Sequence, residues 1–280
     1  MKIINYPCVL TIAGSDPSGG AGIQADIKAI SATGGYAASV ITALTAQNTK
    51  GVLSVQEISP DFVAAQLNAI FEDLTPGAIK IGMLHNQEII AVVADYLARY
   101  KPPHIVLDPV MVAKNGCPLL QADTIDFMKQ HLLPLVSLIT PNLPEAEKLL
   151  AQEITSPFAM ASAAKKIGDE FGINVLIKGG HLGTDQSSDV LYENANSTHH
   201  WFHTKRIFSK NTHGTGCTLS SAIATCLACG FSLQAAILVS KNYLSSAIQA
   251  GSTLEIGHGH GPVHHFYFLE NNHHDIFSHA

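Results

Sequence analysis

Short apolar runs alternate along this chain with stretches in which apolar residues recur every three or four positions. The short runs predict β-strands at residues 9–13, 39–46, 78–81, 105–107, 136–139 and 175–177. The periodic stretches predict helices at residues 22–31, 61–74, 87–99, 123–132, 145–150 and 158–171. Strands that are apolar almost throughout are typical of a parallel sheet that helices cover on both faces.

The first two predicted helices each present an apolar face. In the first helix, Ile23, Ile27 and Ile30 form one stripe. The second is expected to begin with Asp61 as its N-cap, because an aspartate side chain can accept hydrogen bonds from the first free backbone amides. Its predicted core face consists of Val63, Leu67, Ile70 and Phe71.

The last third of the chain has a different order of elements. Residues 189–192 and 200–204 indicate a hairpin or edge pair around the polar loop 193–198. Two helices are predicted to follow, at residues 214–229 and 233–251.

The order of these elements predicts one doubly wound α/β domain. No Ser/Pro-rich linker and no repeat interrupts the chain, so we expect a single domain over residues 1–268. Residues 269–280 are expected to form a polar, histidine-containing tail. In open sheets of this kind ligands bind beyond the carboxyl ends of the strands, so the loops that follow the strands are where chemistry is expected.

Composition narrows the class of protein. Hydrophobic residues make up 46% of the chain and charged residues 14%, which argues against a disordered or fibrous protein. A net charge of −6 with scattered basic residues disfavours nucleic acid as the main partner. The chain has five cysteines, an odd number, with no signal-peptide pattern and no apolar window of about 18 residues. These features favour a cytoplasmic protein with reduced thiols.

A glycine-rich loop, residues 13–22, follows the first strand and precedes the first helix. Gly14 and Gly19 have the spacing of a P-loop, but Gly20 stands where the lysine of that motif belongs, so the loop is not a P-loop. It can still bring a ligand close to its backbone, with Asp16 placed to accept a hydrogen bond from a hydroxyl. A tight turn capped by Asp16 is the structural alternative.

A second run, residues 212–217, opens a helix near the C-terminus. Gly214, Thr215 and Gly216 leave backbone N–H groups unobstructed, and such groups together with the helix dipole form an anion site. Cys217 lies in the first turn, where the same field is expected to lower the pKa of its thiol. A capped structural helix explains the Gly-Thr-Gly pattern equally well.

A third set of polar residues follows successive predicted strands. Asp108, Asn142 and Glu145 offer the oxygen ligands that Mg²⁺ prefers, and Lys178 offers a point charge suited to a polyphosphate. Each residue taken alone has a structural explanation, as a turn cap or a helix N-terminal acid. Their shared position at the ends of strands predicts that they meet at one edge of the sheet.

Together these runs closely resemble one family, the hydroxymethylpyrimidine/phosphomethylpyrimidine kinases of thiamine biosynthesis, in the ribokinase-like superfamily. The matching stretches span nearly the whole chain and are residues 11–28, 40–49, 80–83, 108–116, 140–145, 178–181, 212–218 and 256–263. The last of them reads Ile-Gly-His-Gly-His-Gly-Pro-Val. Two positions depart from the family pattern, Cys117 and Asn211.

The resemblance implies an α/β, three-layer fold with a central, mostly parallel sheet flanked by helices. It implies that ATP and Mg²⁺ are used to phosphorylate the hydroxymethyl group of 4-amino-5-hydroxymethyl-2-methylpyrimidine, and that a second transfer converts the monophosphate to the diphosphate. The expected partners are the pyrimidine and ATP, with neither nucleic acid nor a membrane. A homodimer is expected, because members of the family are commonly dimeric.

The resemblance also implies a role for each site residue. Gln47 would hydrogen-bond the aminopyrimidine. The pocket around that ring would be lined by Gly14, Asp16, Met83 and Val110. The metal would be bound by Asp108 and Glu145. The nucleotide would be bound by Asn142, Lys178, Thr212 and His213. The catalytic group would consist of Gly214, Thr215, Gly216 and Cys217.

Cys217 stands where sugar kinases of the superfamily have an aspartate as base. Phosphoryl transfer usually has a loose transition state, so positioning and charge stabilisation matter more than early removal of the hydroxyl proton. We therefore expect the Cys217 thiol to accept that proton late. The backbone amides of residues 214–217 are expected to hold the transferred phosphoryl group.

Two other functions are compatible with the same fold. One is a pyridoxal or pyridoxine kinase, and Gln47 favours the aminopyrimidine over it without excluding both substrates. The other is a catalytically silent pyrimidine-binding regulatory protein. The presence of Asp108, Glu145, Lys178 and Cys217 argues against a silent protein.

Two further patterns favour structural explanations. Cys226 and Cys229 form a Cys-x-x-Cys pair inside an apolar helix, without a second pair for zinc, so both are expected to be buried core thiols. Histidines concentrate near the C-terminus, where we expect adventitious rather than specific metal binding. They are His258, His260, His264, His265, His273, His274 and His279.

Overall fold

The computed structural model describes residues 6–111, 122–180 and 186–272. Its strands are β1 (Cys8–Ser15), β2 (Tyr36–Asn48), β3 (Gly51–Glu57), β4 (Ala78–Ile81), β5 (Ile105–Leu107), β6 (Leu138–Ile139), β7 (Asn174–Ile177), β8 (Gln186–Glu193) and β9 (Thr198–Lys205). Its α-helices are α1 (Gly22–Ala32), α2 (Pro60–Asp73), α3 (Gln87–Tyr100), α4 (Ala122–His131), α5 (Leu143–Leu150), α6 (Pro157–Phe171), α7 (Thr215–Ala228) and α8 (Leu233–Gly251).

One sheet contains all nine of these strands, in the order β3-β2-β1-β4-β5-β6-β7-β8-β9. The six strands from β2 to β7 in this order pair in parallel, while β3, β8 and β9 add antiparallel edges. This arrangement confirms the mostly parallel α/β fold expected of a ribokinase-like protein. The carboxyl ends of the six parallel strands lie at a common edge, where their exit loops meet.

Alternate residues of the central strands face two separate helix layers. Leu10 and Ile12 of β1 are fully buried in the larger apolar cluster, whose helical members come from α2 to α6. Val9 is fully buried in a second cluster with residues of α7 and α8. The central strands are therefore covered on both faces, which explains why they are apolar almost throughout.

The sequence located most elements correctly, and the differences have local causes. β4 and β5 have the predicted bounds, and the hairpin of β8 and β9 is confirmed. β3 was not predicted, because it lies at the edge of the sheet and none of its side chains is buried. β6 begins two residues later than predicted, because a 3₁₀ turn at Leu133–Leu135 precedes it.

Three residue-level predictions are wrong. Ser59, not Asp61, is the N-cap of α2: its side chain accepts a hydrogen bond from the Phe62 amide, and Pro60 occupies the first helical position, which proline favours. Ile27 lies at the edge of the α1 stripe and is 36% exposed. Cys226 is buried as expected, but Cys229 follows the end of α7 and is exposed.

Some predictions fall on residues outside the described ranges. These are Cys117, the ends of the matching stretches 108–116 and 178–181, and the histidines of the tail beyond residue 272. The domain boundary at residue 268 stays a prediction. Within the described ranges, no helix combines the length and apolar character that a membrane span needs.

Candidate active site

A cavity of about 890 Å³ lies beyond the carboxyl ends of the parallel strands. Every site residue predicted from the sequence lines this cavity, although these residues come from loops scattered over the whole chain. The sheet brings the loops together because β1, β2, β4, β5, β6 and β7 all end at the same edge. What each residue does there depends on its contacts.

The floor of the cavity is the start of α7. Gly214 is its N-cap, with a φ of 77°, and a Cβ added there would lie 1.8 Å from the Gly20 carbonyl oxygen. Only glycine combines this left-handed backbone with so close an approach to the loop 13–22. A Cβ added at Gly216 would lie 3.1 Å from Asp108 Oδ2. The first turn of α7 therefore faces the glycine-rich loop on one side and Asp108 on the other.

Cys217 does not have the lowered pKa that its helix position predicted. Burial raises the pKa of its thiol to about 11. The Lys80 ammonium and a hydrogen bond from the Gly22 amide lower it, but Asp26 and Asp108 add to the effect of burial. Desolvation and nearby carboxylates thus outweigh the helix dipole, and Cys217 is a neutral thiol at pH 7.

At one end of the cavity, Asp16 is held by its own loop. Its Oδ1 accepts a hydrogen bond from the Ser18 amide, while its Oδ2 accepts from the Ala21 amide and lies 2.8 Å from His213 Nε2. Burial acts to raise the pKa of Asp16, but these hydrogen bonds outweigh it and lower the pKa to about 2. Gln47 Nε2 lies 3.3 Å from the same His213 nitrogen.

The wall beside this end is apolar. A Cβ added at Gly14 would lie 2.6 Å from Met83 Cε, so the Met83 side chain packs directly on the glycine backbone. The Met83 carbonyl accepts a hydrogen bond from the buried Thr42 hydroxyl, which ties the loop after β4 to β2. Val110 lines the same cavity from the loop after β5. This end therefore combines an apolar wall with one carboxylate, one amide and one imidazole.

The other end holds the charged residues. Lys178 Nζ lies 2.8 Å from Asp108 Oδ1, and Thr140 Oγ1 donates a hydrogen bond to the same oxygen at 3.1 Å. Asn142 and Glu145 form a capping box at the start of α5, in which each side chain accepts a hydrogen bond from the other residue's amide. Glu145 therefore has the structural role of a helix N-terminal acid, whether or not it also takes part in function.

Charges at this end perturb one another. The pKa of Glu145 is raised to about 7, chiefly by burial and also by Asp108, while Lys178 lowers it. Burial acts to lower the pKa of Lys178, but Asp108 and Glu145 raise it more. The two carboxylates offer oxygen ligands to a cation, and the ammonium offers a positive charge to a phosphate.

Five charged residues that line the cavity were not predicted from the sequence: Lys80, Asp189, Lys205, Arg206 and Lys241. Lys80 lies in β4, is fully buried, and pairs with the equally buried Asp26 at 2.8 Å. Lys241 of α8 pairs with Asp189 of β8, whose Oδ1 accepts a hydrogen bond from the Gly179 amide. Arg206 donates a hydrogen bond to the Gly180 carbonyl. A signal existed for Lys80, since it is a charged residue inside an otherwise apolar strand.

The histidines near the C-terminus do not gather into a metal site in the described part of the chain, where no group of three or more potential ligands is found. His265 is buried, and its Nε2 lies 3.0 Å from the Thr218 hydroxyl. Burial lowers the pKa of His265 to about 4. It therefore acts as a neutral core residue beneath the start of α7.

Comparison with known proteins identifies the family. A family model described as phosphomethylpyrimidine kinase matches residues 16–264. A hydroxymethylpyrimidine/phosphomethylpyrimidine kinase of Escherichia coli is 50% identical, over 95% of this chain and 99% of the relative. The thiamine biosynthesis bifunctional protein ThiED of Geobacter sulfurreducens is 48% identical over 94% of this chain, which spans only 53% of that protein.

A solved structure supports the fold. Bacillus subtilis pyridoxal kinase, determined as an ADP complex, superimposes with a TM-score of 0.88 at 34% identity, covering 95% of this chain and all of the other. The match at 50% identity extends over nearly all of both chains. This chain belongs to the phosphomethylpyrimidine kinase family.

Proposed function

We propose that this protein is an ATP-dependent kinase that phosphorylates 4-amino-5-hydroxymethyl-2-methylpyrimidine and then its monophosphate, for thiamine biosynthesis. The observation that carries the proposal is that one cavity has an apolar end and a charged end, with the start of α7 lining it between them. The E. coli relative has this activity in its name. The sequence identity to that relative is 50%, whereas the identity to the Bacillus subtilis pyridoxal kinase is 34%, and this difference favours the pyrimidine as substrate.

The pyrimidine is proposed to bind at the apolar end. Met83 and Val110 would contact its ring, and the Gln47 amide would hydrogen-bond its amino edge. The Asp16 carboxylate, ionised because of its low pKa, would add a fixed negative charge beside the His213 imidazole. The hydroxymethyl group would then point along the cavity towards the first turn of α7.

The transfer step is proposed to occur over that first turn. The hydroxymethyl oxygen attacks the terminal phosphorus of ATP, the bond from that phosphorus to the bridging oxygen breaks, and ADP leaves with the electron pair. The amides of Gly214 to Cys217 would stabilise the charge on the transferred group. A neutral thiol can take up the hydroxyl proton only while giving away its own. Cys217 is therefore proposed to relay the proton to an oxygen of the transferred phosphoryl group.

The charged end is proposed to bind the nucleotide with Mg²⁺. Asp108 and Glu145 fit the metal, because they are buried oxygen donors, and burial together with repulsion between them raises the pKa of Glu145. Mg²⁺ bound there would neutralise charge on the nucleotide phosphates. Lys178 would contact the phosphates as a point charge. Further nucleotide contacts are proposed for Asn142 and Thr212, and for His213, whose imidazole lies beside Asp16 at the apolar end.

We also propose that the protein is cytoplasmic and forms a homodimer. The family resemblance supports the dimer, as do the exposed Leu44 and Leu53 on the hairpin of β2 and β3, which offer apolar surface to a second copy. Light scattering coupled to size-exclusion chromatography gives the mass in solution. A monomer at micromolar concentration would contradict the proposed dimer.

A coupled ATP assay with mass spectrometry of the products tests the proposed activity. We expect Mg²⁺-dependent ADP formation with the pyrimidine, and both its monophosphate and its diphosphate among the products. Lys178→Met is expected to lower kcat by about 100-fold or more, because it removes a charge opposite the phosphates. Pyridoxal in place of the pyrimidine is expected to give a lower kcat/KM. Absence of pyrimidine-dependent ATP consumption would support the silent binding protein instead.

A further inference from the structure

The stretch Ile-Gly-His-Gly-His-Gly-Pro-Val at residues 256–263 has no role in the chemistry described above. We call it the strap. It follows α8, forms neither helix nor strand, and contacts two segments that are far apart in the sequence. One is the turn between β2 and β3, and the other is the segment leading into α7.

At the hairpin, the strap is attached to the turn residue Thr49. The Gly259 amide donates a hydrogen bond to Thr49 Oγ1 at 3.0 Å, and the His260 amide donates to the Thr49 carbonyl at 2.8 Å. A Cβ added at Gly259 would lie 2.0 Å from that carbonyl oxygen, and one at Gly257 would lie 2.4 Å from Thr49 Oγ1. The strap backbone can reach the hairpin this closely only because both positions are glycines.

At the start of α7, the strap is attached through the residue before the N-cap. The His213 amide donates a hydrogen bond to the Gly261 carbonyl at 3.0 Å, and His213 also forms a parallel bridge with Pro262. A Cβ added at Gly261 would lie 2.3 Å from Asn211 Oδ1, while the side-chain Nδ2 of Asn211 donates a hydrogen bond to the Leu254 carbonyl just before the strap. Asn211, which departs from the family pattern, is therefore part of this attachment.

The far end of the strap is anchored in the protein core. Val263 is buried, and the His264 amide donates a hydrogen bond to the Ala247 carbonyl of α8. The next residue, His265, is buried under α7 and accepts a hydrogen bond on its carbonyl from Tyr243. The strap therefore has a fixed length between firm attachments and is not a loose surface loop.

The two segments that the strap joins also carry the two ends of the proposed reaction. Gln47, two residues before Thr49, is the side chain proposed to bind the ring, and it contacts His213, the residue immediately before the α7 N-cap. We propose that the strap is a positioning device that sets the separation between the Gln47 side chain and the amides at the start of α7, with Gly259, Gly261 and Thr49 as positioning residues. The proposal rests on the proposed function of those two groups.

Misplacing the ring relative to the phosphoryl group lowers the rate steeply, because the reacting atoms must lie within a few tenths of an ångström of the productive geometry. Gly259→Ala forces the strap away from Thr49. We expect kcat/KM for the pyrimidine to fall about 10- to 100-fold. The KM for ATP is expected to change by less than about twofold, because Gly259 lies against Thr49 and does not contact Asp108, Glu145 or Lys178.

Two controls separate positioning from stability. Gly168→Ala in α6 also forces a collision, 2.4 Å from the Tyr192 ring, but in the core away from the cavity. It is expected to lower Tm while leaving both KM values unchanged. His258→Ala alters an exposed side chain of the strap without changing its backbone, and is expected to behave as wild type. If the kinetics of Gly259→Ala and Gly168→Ala change alike, the strap is only structural and the proposal fails.

A milder pair of variants applies if Gly259→Ala does not fold. Thr49→Val removes the hydroxyl that accepts from the Gly259 amide but keeps the side-chain shape, and Thr49→Ser keeps the hydroxyl. We expect Thr49→Val to raise the KM for the pyrimidine and Thr49→Ser to restore it. Equal KM values for wild type and Thr49→Val would overturn the proposal.

The strap can also be tested without the proposed substrate. Amide hydrogen exchange of residues 47–52 is expected to become at least about tenfold faster in Thr49→Val than in Thr49→Ser, because the hairpin loses an attachment. Equal exchange rates in the two variants would contradict the proposal that the strap holds the hairpin in place. Failure of wild-type enzyme to phosphorylate the pyrimidine would instead contradict the proposed function, so the two failures are distinguishable.

Discussion

At the scale of single residues, burial decides the chemistry of this site more than local sequence does. Cys217 occupies the first turn of a helix, where an isolated thiol would have a lowered pKa. Its surroundings raise the pKa to about 11. The neutral thiol can relay a proton, but it is not a standing anionic base at neutral pH.

Substitution of Cys217 tests this role. Cys217→Ser keeps a group that can both donate and accept a proton, so we expect it to retain more activity than Cys217→Ala. Loss of the relay in Cys217→Ala is expected to lower kcat about 100-fold. The measurement is kcat against pH between 6 and 10, in which wild type should show no thiol ionisation below pH 9. Near-wild-type kcat in Cys217→Ala would leave only the backbone amides of residues 214–217 in the mechanism.

The raised pKa of Glu145 predicts that the difference in stability between Glu145→Gln and wild type depends on pH. Its pKa is raised from 4.5 to about 7, so the neutral form is favoured in the folded protein. The stability that comes from this shift is fully present below pH 4.5 and is lost as the pH rises through 7. Glu145→Gln keeps a neutral group able to complete the capping box at all pH values. We therefore expect the Tm of Glu145→Gln minus that of wild type to increase from pH 5 to pH 8.

The control for this experiment is Glu153→Gln, at an exposed position outside the cavity. Its Tm difference from wild type is expected to stay constant over the same range. A Tm difference for Glu145→Gln that falls as the pH rises would mean that the carboxylate is stabilised, not destabilised, in the fold.

At the scale of elements, the start of α7 depends on two glycines for different reasons. Gly214 needs a left-handed backbone and lies against the Gly20 carbonyl, so it holds the glycine-rich loop in place. Gly216 lies in the first turn of α7, and the three atoms nearest to a Cβ added there are side-chain atoms of Asp108 and Lys178. The first glycine serves the fold, and the second keeps the charged end of the cavity open.

This difference predicts opposite effects of the two alanine variants. Gly216→Ala places a methyl group 3.1 Å from Asp108 Oδ2, so we expect kcat to fall at least about tenfold. Its Tm is expected to be equal to or above that of wild type, because alanine favours a helix more than glycine does. Gly214→Ala is expected to lower Tm markedly. Calorimetry and the ATP assay on both variants provide the check, and a large loss of Tm in Gly216→Ala would contradict the assignment.

At the scale of the whole molecule, one buried ion pair joins the sheet to the helices behind the site. Lys80 of β4 and Asp26 of α1 are fully buried and 2.8 Å apart. Asp26 also accepts hydrogen bonds from Thr11 of β1 and Ser221 of α7. Four elements thus meet at one carboxylate, which satisfies the charge of Asp26 and orients α7 under the cavity.

Breaking this pair is expected to be costly. Lys80→Met leaves the Asp26 carboxylate buried without its cation, and we expect a loss of about 3–5 kcal/mol in the free energy of unfolding. Adding Asp26→Asn removes the uncompensated charge, so the double variant is expected to be more stable than Lys80→Met alone. Urea unfolding at pH 7 measures the free energy of unfolding of Lys80→Met, of Asp26→Asn and of the double variant. A double variant that loses the sum of the two single losses would show that the groups do not act as a pair.

The amino-acid sequence by itself determined the order of all the elements except β3, and a set of residues that all line the cavity. Short apolar runs and helical periodicity depend on local pattern, which is why β4, β5 and α8 were located with their observed bounds. The site residues could be predicted because they follow the strands, and the carboxyl ends of parallel strands meet at one edge. The family was recognisable from the combination of these loops.

Only the tertiary structure decided the properties that depend on distant neighbours. The pKa of Cys217 is set by burial and by charges from α1, β4 and the loop after β5. The Lys80–Asp26 pair joins residues 54 positions apart, and the strap meets Thr49 across 210 positions. Local pattern carries no information about such contacts. They arise when the chain packs, because desolvation and Coulomb interactions act through space and not along the sequence.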